Sequence, residues 1–208
     1  MLSIFNSRAK ERKGWLFCCA CCRAIWHLLS EDCQRRLELV EGFVDGRVTE
    51  QELRQVFTNW YPSESVLEGA TGGFQAACAV ATLGDSWRWN REVPRWSADR
   101  VSRESAEAAA KTVTWDEARD AQIQLFREVL GNPFRPAIID PDWLAWNNRT
   151  VVKLATTIYQ DRRWEIMPIL GDALEDAMCD NSEILEHCRG PRPHARGCWV
   201  VDLILGKS

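Results

Sequence analysis

Four cysteines fall within five positions in the stretch "LFCCACCRAIWHLL", residues 16–29, and more thiols and imidazoles gather near the C-terminus. The first cluster holds two overlapping C-x-x-C pairs, Cys18 with Cys21 and Cys19 with Cys22. Thiols three apart on a helix can chelate zinc, but four from one helix splay over too many faces to close a tetrahedron around one ion. The C-terminal block offers Cys179, His187, Cys188, His194 and Cys198. His194 and Cys198 have a zinc-compatible spacing, and the "GPRP" that precedes Cys198 is stiff enough to hold ligands in place. The candidate metal set is therefore Cys188, His194 and Cys198, with Cys179 or His187 as the fourth ligand. Zinc is the first candidate; an iron–sulfur or copper thiolate site is the other metal reading, since soft ligands alone do not select one metal. The competing expectation is plain packing, because cysteine is small, commonly buried and needs no ion between helices. His27 lacks the C-x-x-C-H spacing of covalent haem attachment and reads as part of a polar stripe.

A second constellation is "WRWNREVPRW". Trp87, Trp89 and Trp96 interleave with Arg88, Arg91 and Arg95, a pattern suited to a protein-binding surface or to base stacking with phosphate contact. The same residues also fit a loop whose rings cap the core while arginines lie over them in water. The chain carries a net charge of −4, so no general nucleic-acid footprint is present and a protein partner is the favoured reading. No catalytic residues are assigned. The terminal "GKS" has Val201 where a phosphate loop needs its first glycine, and H-E-x-x-H, G-x-S-x-G and G-x-G-x-x-G do not occur in a supporting context. Carboxylates such as Asp172, Glu175 and Asp176 recur at helical spacing and read as a solvated face.

The elements that must position these side chains read as helices joined by short loops. Residues 12–29 are apolar nearly all round, with Arg23 and His27 as a narrow stripe, as in a buried helix. Ser30 can cap a second helix through about Val44, where "DGRV" breaks it. Thr49 with Glu52 forms a capping box for a third, running to Trp60. The stretch from 63 to 112 is variable in pattern, with glycines, Pro94 and a helix capped by Ser97 through about Lys111. Thr114 with Glu117 makes another capping box, for a helix ended by Gly131. Asp140 before Pro141 starts a helix, and residues 149–163 and 164–178 carry helical spacing. Asp180 with Glu183 opens a short helix ending at Gly190, and Pro193–Leu205 forms the last, although its valines also suit a strand.

The expected fold is an all-α multi-helix bundle with an irregular Trp/Arg-rich centre, organised as one domain over residues 1–208. Its parts are a Cys-rich helical part at 12–62, a variable middle at 63–112 and a C-terminal helical block at 113–208. Eleven tryptophans supply ample packing surface. Nine clustered cysteines read as reduced thiols and a cytoplasmic location, not as a disulfide framework. The basic N-terminus followed by a short apolar run lacks a cleavage site, and the run is too short to span a membrane.

"LFCCACCRAIWHLL", "GNPFRP" and "CDNSEILEHCRGPRPHARGCWVVDLILGK" together resemble an uncharacterised bacterial family of hypothetical proteins. That resemblance covers about half the chain and implies no activity and no catalytic residues. The expected function is a helical protein-binding or adaptor module with zinc as its candidate stabiliser and no other cofactor. The alternatives are a metal-dependent enzyme using the C-terminal Cys/His site, and a nucleic-acid-binding module using residues 87–96.

Overall fold

The apolar run around the clustered cysteines folds as the centre of helix α1, Arg8–Ala24. The computed structural model describes residues 8–58, 95–110 and 113–207, with side chains from residue 12 in the first stretch and from residue 100 in the second. The described residues form α-helices and short 3-10 turns, with no strand. The chain divides into two compact units, Met1–Ile123 and Gln124–Ser208.

In the N-terminal unit, Trp15 to Cys22 are all buried, so α1 is apolar on every side, as a central helix must be. It packs against α2, Glu31–Val44, and α4, Arg95–Ala109. The cysteines therefore sit inside the packing as free thiols. Burial pushes the Cys18 thiol up to about 12 and holds Cys19, Cys21 and Cys22 well above the ordinary thiol range, so all four are neutral. Neutral thiols packed in an apolar core are poor nucleophiles.

The α-helix ends earlier than the sequence pattern suggests. Ala24 closes it, and a 3-10 turn at Trp26–Leu28 follows. This tighter turn brings Ile25 and Leu29 into the core and leaves His27 exposed, so His27 and Arg23 share no helical stripe. The Gln34 side-chain amide donates to the carbonyls of Trp26 and Leu29, tying the turn to the start of α2. Arg23 instead reaches across to Glu41 on α2, with Nε to Oε1 at 3.0 Å and Nη2 to Oε2 at 2.8 Å. Its guanidinium also stacks 3.9 Å over the Trp26 ring.

Ser30 caps α2 by accepting from the Cys33 amide, and Thr49 with Glu52 forms a complete capping box at the start of α3, Glu50–Phe57. α3 stops at Phe57, short of Trp60, because Thr58 leaves helical geometry and its hydroxyl donates to the Arg54 carbonyl. α4 spans Arg95–Ala109, so Ser97 lies inside its first turn. The Thr114 and Glu117 capping box forms at the head of α5, Trp115–Leu130, and the unit boundary falls within this helix.

The C-terminal unit contains the end of α5, then α6, Pro141–Asp161, α7, Met167–Asp176, α8, Ser182–Arg189, and α9, Trp199–Leu205. Asp140 caps α6 through the Asp142 amide, and Pro141 occupies its first turn. Pro168 is likewise accommodated at the head of α7, after a 3-10 turn at Trp164–Ile166. Asn181, not Asp180, caps α8. α9 begins at Trp199, later than the sequence pattern suggests, and "CWVVDLIL" is helical from that point. The core brings together Val151, Ala155 and Ile158 of α6, Met167, Leu170 and Leu174 of α7, Ile184 of α8, and Val200, Val201 and Ile204 of α9.

α6 contains a sharp break. Asn147, Asn148 and Arg149 are all left-handed, with φ of 43°, 55° and 63°. Asparagine tolerates this region, but an arginine there carries a steric cost of about 1–2 kcal/mol. Arg149 is exposed. Arg149→Gly is therefore expected to raise stability by about 0.5–1 kcal/mol, the relief being partly offset by the glycine's greater freedom when unfolded. Urea denaturation reads this directly; a loss of stability would mean the arginine side chain contributes more than its backbone costs.

Candidate metal centre

Three separate segments of the C-terminal unit converge on one buried point. α5 brings Glu128 from its last turn, α8 brings His187 from its last turn, and the loop before α9 brings His194 and Cys198. One donor atom from each of these four residues lies within 4.8 Å of every other.

Glu128 lies on the apolar stripe of α5, one residue from Val129 and three from Leu125, both buried. Its helix stops at Gly131, whose φ of +63° suits a left-handed terminator. A Cβ at Gly131 would fall 2.9 Å from Trp199 Cγ, so the bare backbone lets the indole lie against the helix end. The loop at 190–198 is equally constrained. Arg196 donates from Nη2 to the Tyr159 carbonyl at 3.3 Å, its guanidinium lies 5.1 Å from the centroid of that tyrosine ring, and Gly197 turns the chain with φ of +95°. Arg196 and Gly197 separate His194 from Cys198, so the anchor and the turn fix where both side chains point.

Glu128 Oε1 faces His194 Nδ1 at 3.1 Å and accepts from the Ala195 amide at 3.4 Å. His187 Nε2 faces Cys198 Sγ at 3.2 Å. Glu128 Oε2 lies 3.2 Å from His187 Nε2, a charge contact without a well-formed hydrogen bond. The side chains are 1% exposed at Glu128, 2% at His187 and 7% at His194, and Cys198 is fully buried. A buried carboxylate oxygen held by a charge contact but without a well-formed hydrogen bond is incompletely satisfied. Four donors around a tetrahedral zinc stand about 3.3–3.6 Å apart, given its usual bond lengths. With one donor atom taken from each residue the separations reach up to 4.8 Å, so the group would have to contract to meet that spacing.

The protonation pattern adds one requirement. Trp199 Nε1 donates to His187 Nδ1 at 2.9 Å, so a neutral His187 carries its proton on Nε2, the atom that faces the group. A cation bound through Nε2 must displace that proton, and moving it to Nδ1 would turn the indole N–H away. Burial and the nearby Glu128 carboxylate hold the Cys198 thiol well above its ordinary range, so it is protonated until a cation displaces its proton. Burial pushes the Glu128 carboxyl up, but its contacts with His187 and His194 outweigh that effect and hold it at about 2.

Glu128 titrates lower in the folded chain than its ordinary 4.5, so the stability it contributes is complete above pH 4.5 and is lost as pH falls toward 2. Chelator-treated protein is expected to show this loss in denaturation series across that window, and Glu128→Gln should flatten it. An unchanged profile in the glutamine variant would place the acid sensitivity elsewhere.

Of the five candidate ligands read from the sequence, His187, His194 and Cys198 lie together. Cys179 and Cys188 are buried in the apolar core, with Cys188 Cβ 3.0 Å from where a Cβ on Gly171 would stand, and neither belongs to the four. Glu128 was not among the candidates, since it lies 59 residues before His187. The signal that could have found it is its place on the apolar stripe of α5. The N-terminal thiols take no part in this group. Trp87, Arg88, Trp89 and Arg91 lie outside the described residues, as do the side chains of Arg95 and Trp96, which stand at the start of α4. No helix among the described residues is long and apolar enough to cross a membrane. No family model matches the sequence, and no curated protein or solved structure matches it either.

Proposed function

We propose that the C-terminal unit is a structural zinc module within a chain that serves as a protein-binding or adaptor component. The observation that carries this reading is the convergence of Glu128, His187, His194 and Cys198, buried together with one donor atom from each within 4.8 Å of the others. One carboxylate oxygen, two imidazole nitrogens and one thiolate sulfur make a donor set zinc accepts in tetrahedral geometry. A bound ion would cross-link the end of α5, the end of α8 and the start of α9.

The burial favours a structural over a catalytic ion. Structural zinc is closed by four protein ligands, whereas a catalytic ion keeps one position open to water and substrate. All four donors here are protein groups, and the most exposed side chain among them is only 7% accessible. The test is elemental analysis of protein purified without chelator, followed by cobalt substitution. One zinc per chain, and a cobalt spectrum of tetrahedral type with thiolate charge transfer, is the expected result. Copper bound with an intense visible band would replace zinc by copper, because two histidines and a cysteine also suit that ion. No metal uptake at all would overturn the module.

A further inference from the structure

A surface segment of the C-terminal unit between α5 and α6 lies outside any helix and makes no backbone pairing of its own. Between α5 and α6, residues 136–139 alternate, with Ala137 and Ile139 packed against the core and Pro136 and Ile138 turned outward. That is the period of a strand. Among the described residues, Ala137, Ile138 and Ile139 make no backbone–backbone hydrogen bond. Ile138 is 81% exposed, and Phe134 just before the segment is 88% exposed.

A shallow groove of about 400 Å³ lies along this segment, with Pro136, Ile138 and Trp143 as its apolar lining. Arg135, Asp180 and Glu183 also line it. Both carboxylates are exposed, and neither forms an ion pair among the described residues. Met178, two residues before Asp180, is 82% exposed. Backbone without internal partners can accept an added strand, exposed apolar side chains beside a groove mark a contact surface, and free carboxylates set the charge of what binds.

We propose that this groove docks an extended segment of another protein, which adds as a strand along residues 136–139. Its alternate apolar side chains lie against Ile138 and Trp143, and its lysine or arginine faces Asp180 and Glu183. A second copy of this chain fits less well, because each copy would bring two carboxylates and only one arginine to the contact. The surface is separate from the buried Glu128 group and does not depend on an ion there.

The experiment titrates the full chain into dye-labelled, end-capped hexapeptides and reads fluorescence polarisation. A peptide alternating valine and lysine is expected to bind about tenfold or more tightly than one alternating valine and glutamate. Serine in place of valine should abolish binding, as should methylation of alternate backbone nitrogens. The double variant Asp180→Lys with Glu183→Lys should reverse the charge preference while leaving circular dichroism unchanged. Equal binding of the methylated peptide would overturn strand addition, and equal binding of the glutamate peptide would overturn the charge recognition. Absence of binding by every peptide would overturn the site. A dimer in sedimentation that Ile138→Asp converts to monomer would show that a second copy is the true occupant.

Discussion

Stripping zinc with a strong chelator is expected to lower the unfolding midpoint of the C-terminal unit by about 20 °C. An ion present at 1,000 times its dissociation constant stabilises the state that binds it by about 4 kcal/mol. In a unit of this size each kcal/mol moves the midpoint by roughly 4–8 °C. The effect falls short of that in an isolated zinc finger, which has little other core, because Ile158, Met167, Leu170, Leu174 and Ile184 still pack together without the ion. Calorimetry with excess zinc and after chelation measures the difference. Cys198→Ala should unfold at the lower midpoint in both conditions. A wild-type midpoint indifferent to chelator would show that the four side chains stabilise the unit by hydrogen bonding alone.

Arg23→Ala should cost about 3–5 kcal/mol in the N-terminal unit, the range seen when one member of a buried ion pair is removed. Glu41 is only 2% exposed, and the substitution strips its carboxylate of two charged hydrogen bonds at 2.8 and 3.0 Å. The stacking of the guanidinium over Trp26 is lost as well. Arg23→Lys should recover part of the loss, since an ammonium meets the charge but cannot reproduce the two-pronged contact. Combining Arg23→Met with Glu41→Leu should cost less than Arg23→Ala alone, because no charge is then left buried. Urea denaturation of the three variants orders them. If the double variant is the least stable, the pair is a net source of stability and not a matched cost.

Local chemistry was legible in the sequence wherever a side chain acts on its own neighbours. Ser30, Thr49 with Glu52, Thr114 with Glu117, and Asp140 before Pro141 all cap where their types and spacing place them. The all-helical class follows from the same signals. Breaks set by tertiary contacts were not legible. The 3-10 turn at Trp26–Leu28 forms because Ile25 and Leu29 reach inward there, and the left-handed turn at 147–149 has no proline or glycine to announce it. At the candidate metal centre, the His194 and Cys198 spacing pointed to the right loop, whereas no spacing rule reaches back to Glu128 on another helix. Cys188 has the residue type of a ligand, but it packs between α7 and α8.

The indole of Trp199 bears on how fast the centre exchanges its ion. A cation binding here would displace the Cys198 thiol proton and shift the His187 proton from Nε2 to Nδ1, turning the Trp199 indole N–H away, in a place that solvent barely reaches. Those proton movements would require the loop at 190–198 or the start of α9 to open, so exchange would follow local unfolding and not free diffusion. An ion taken up as the chain folds would then be retained through later changes of buffer, and the metal content of the purified protein would record the medium in which it was made.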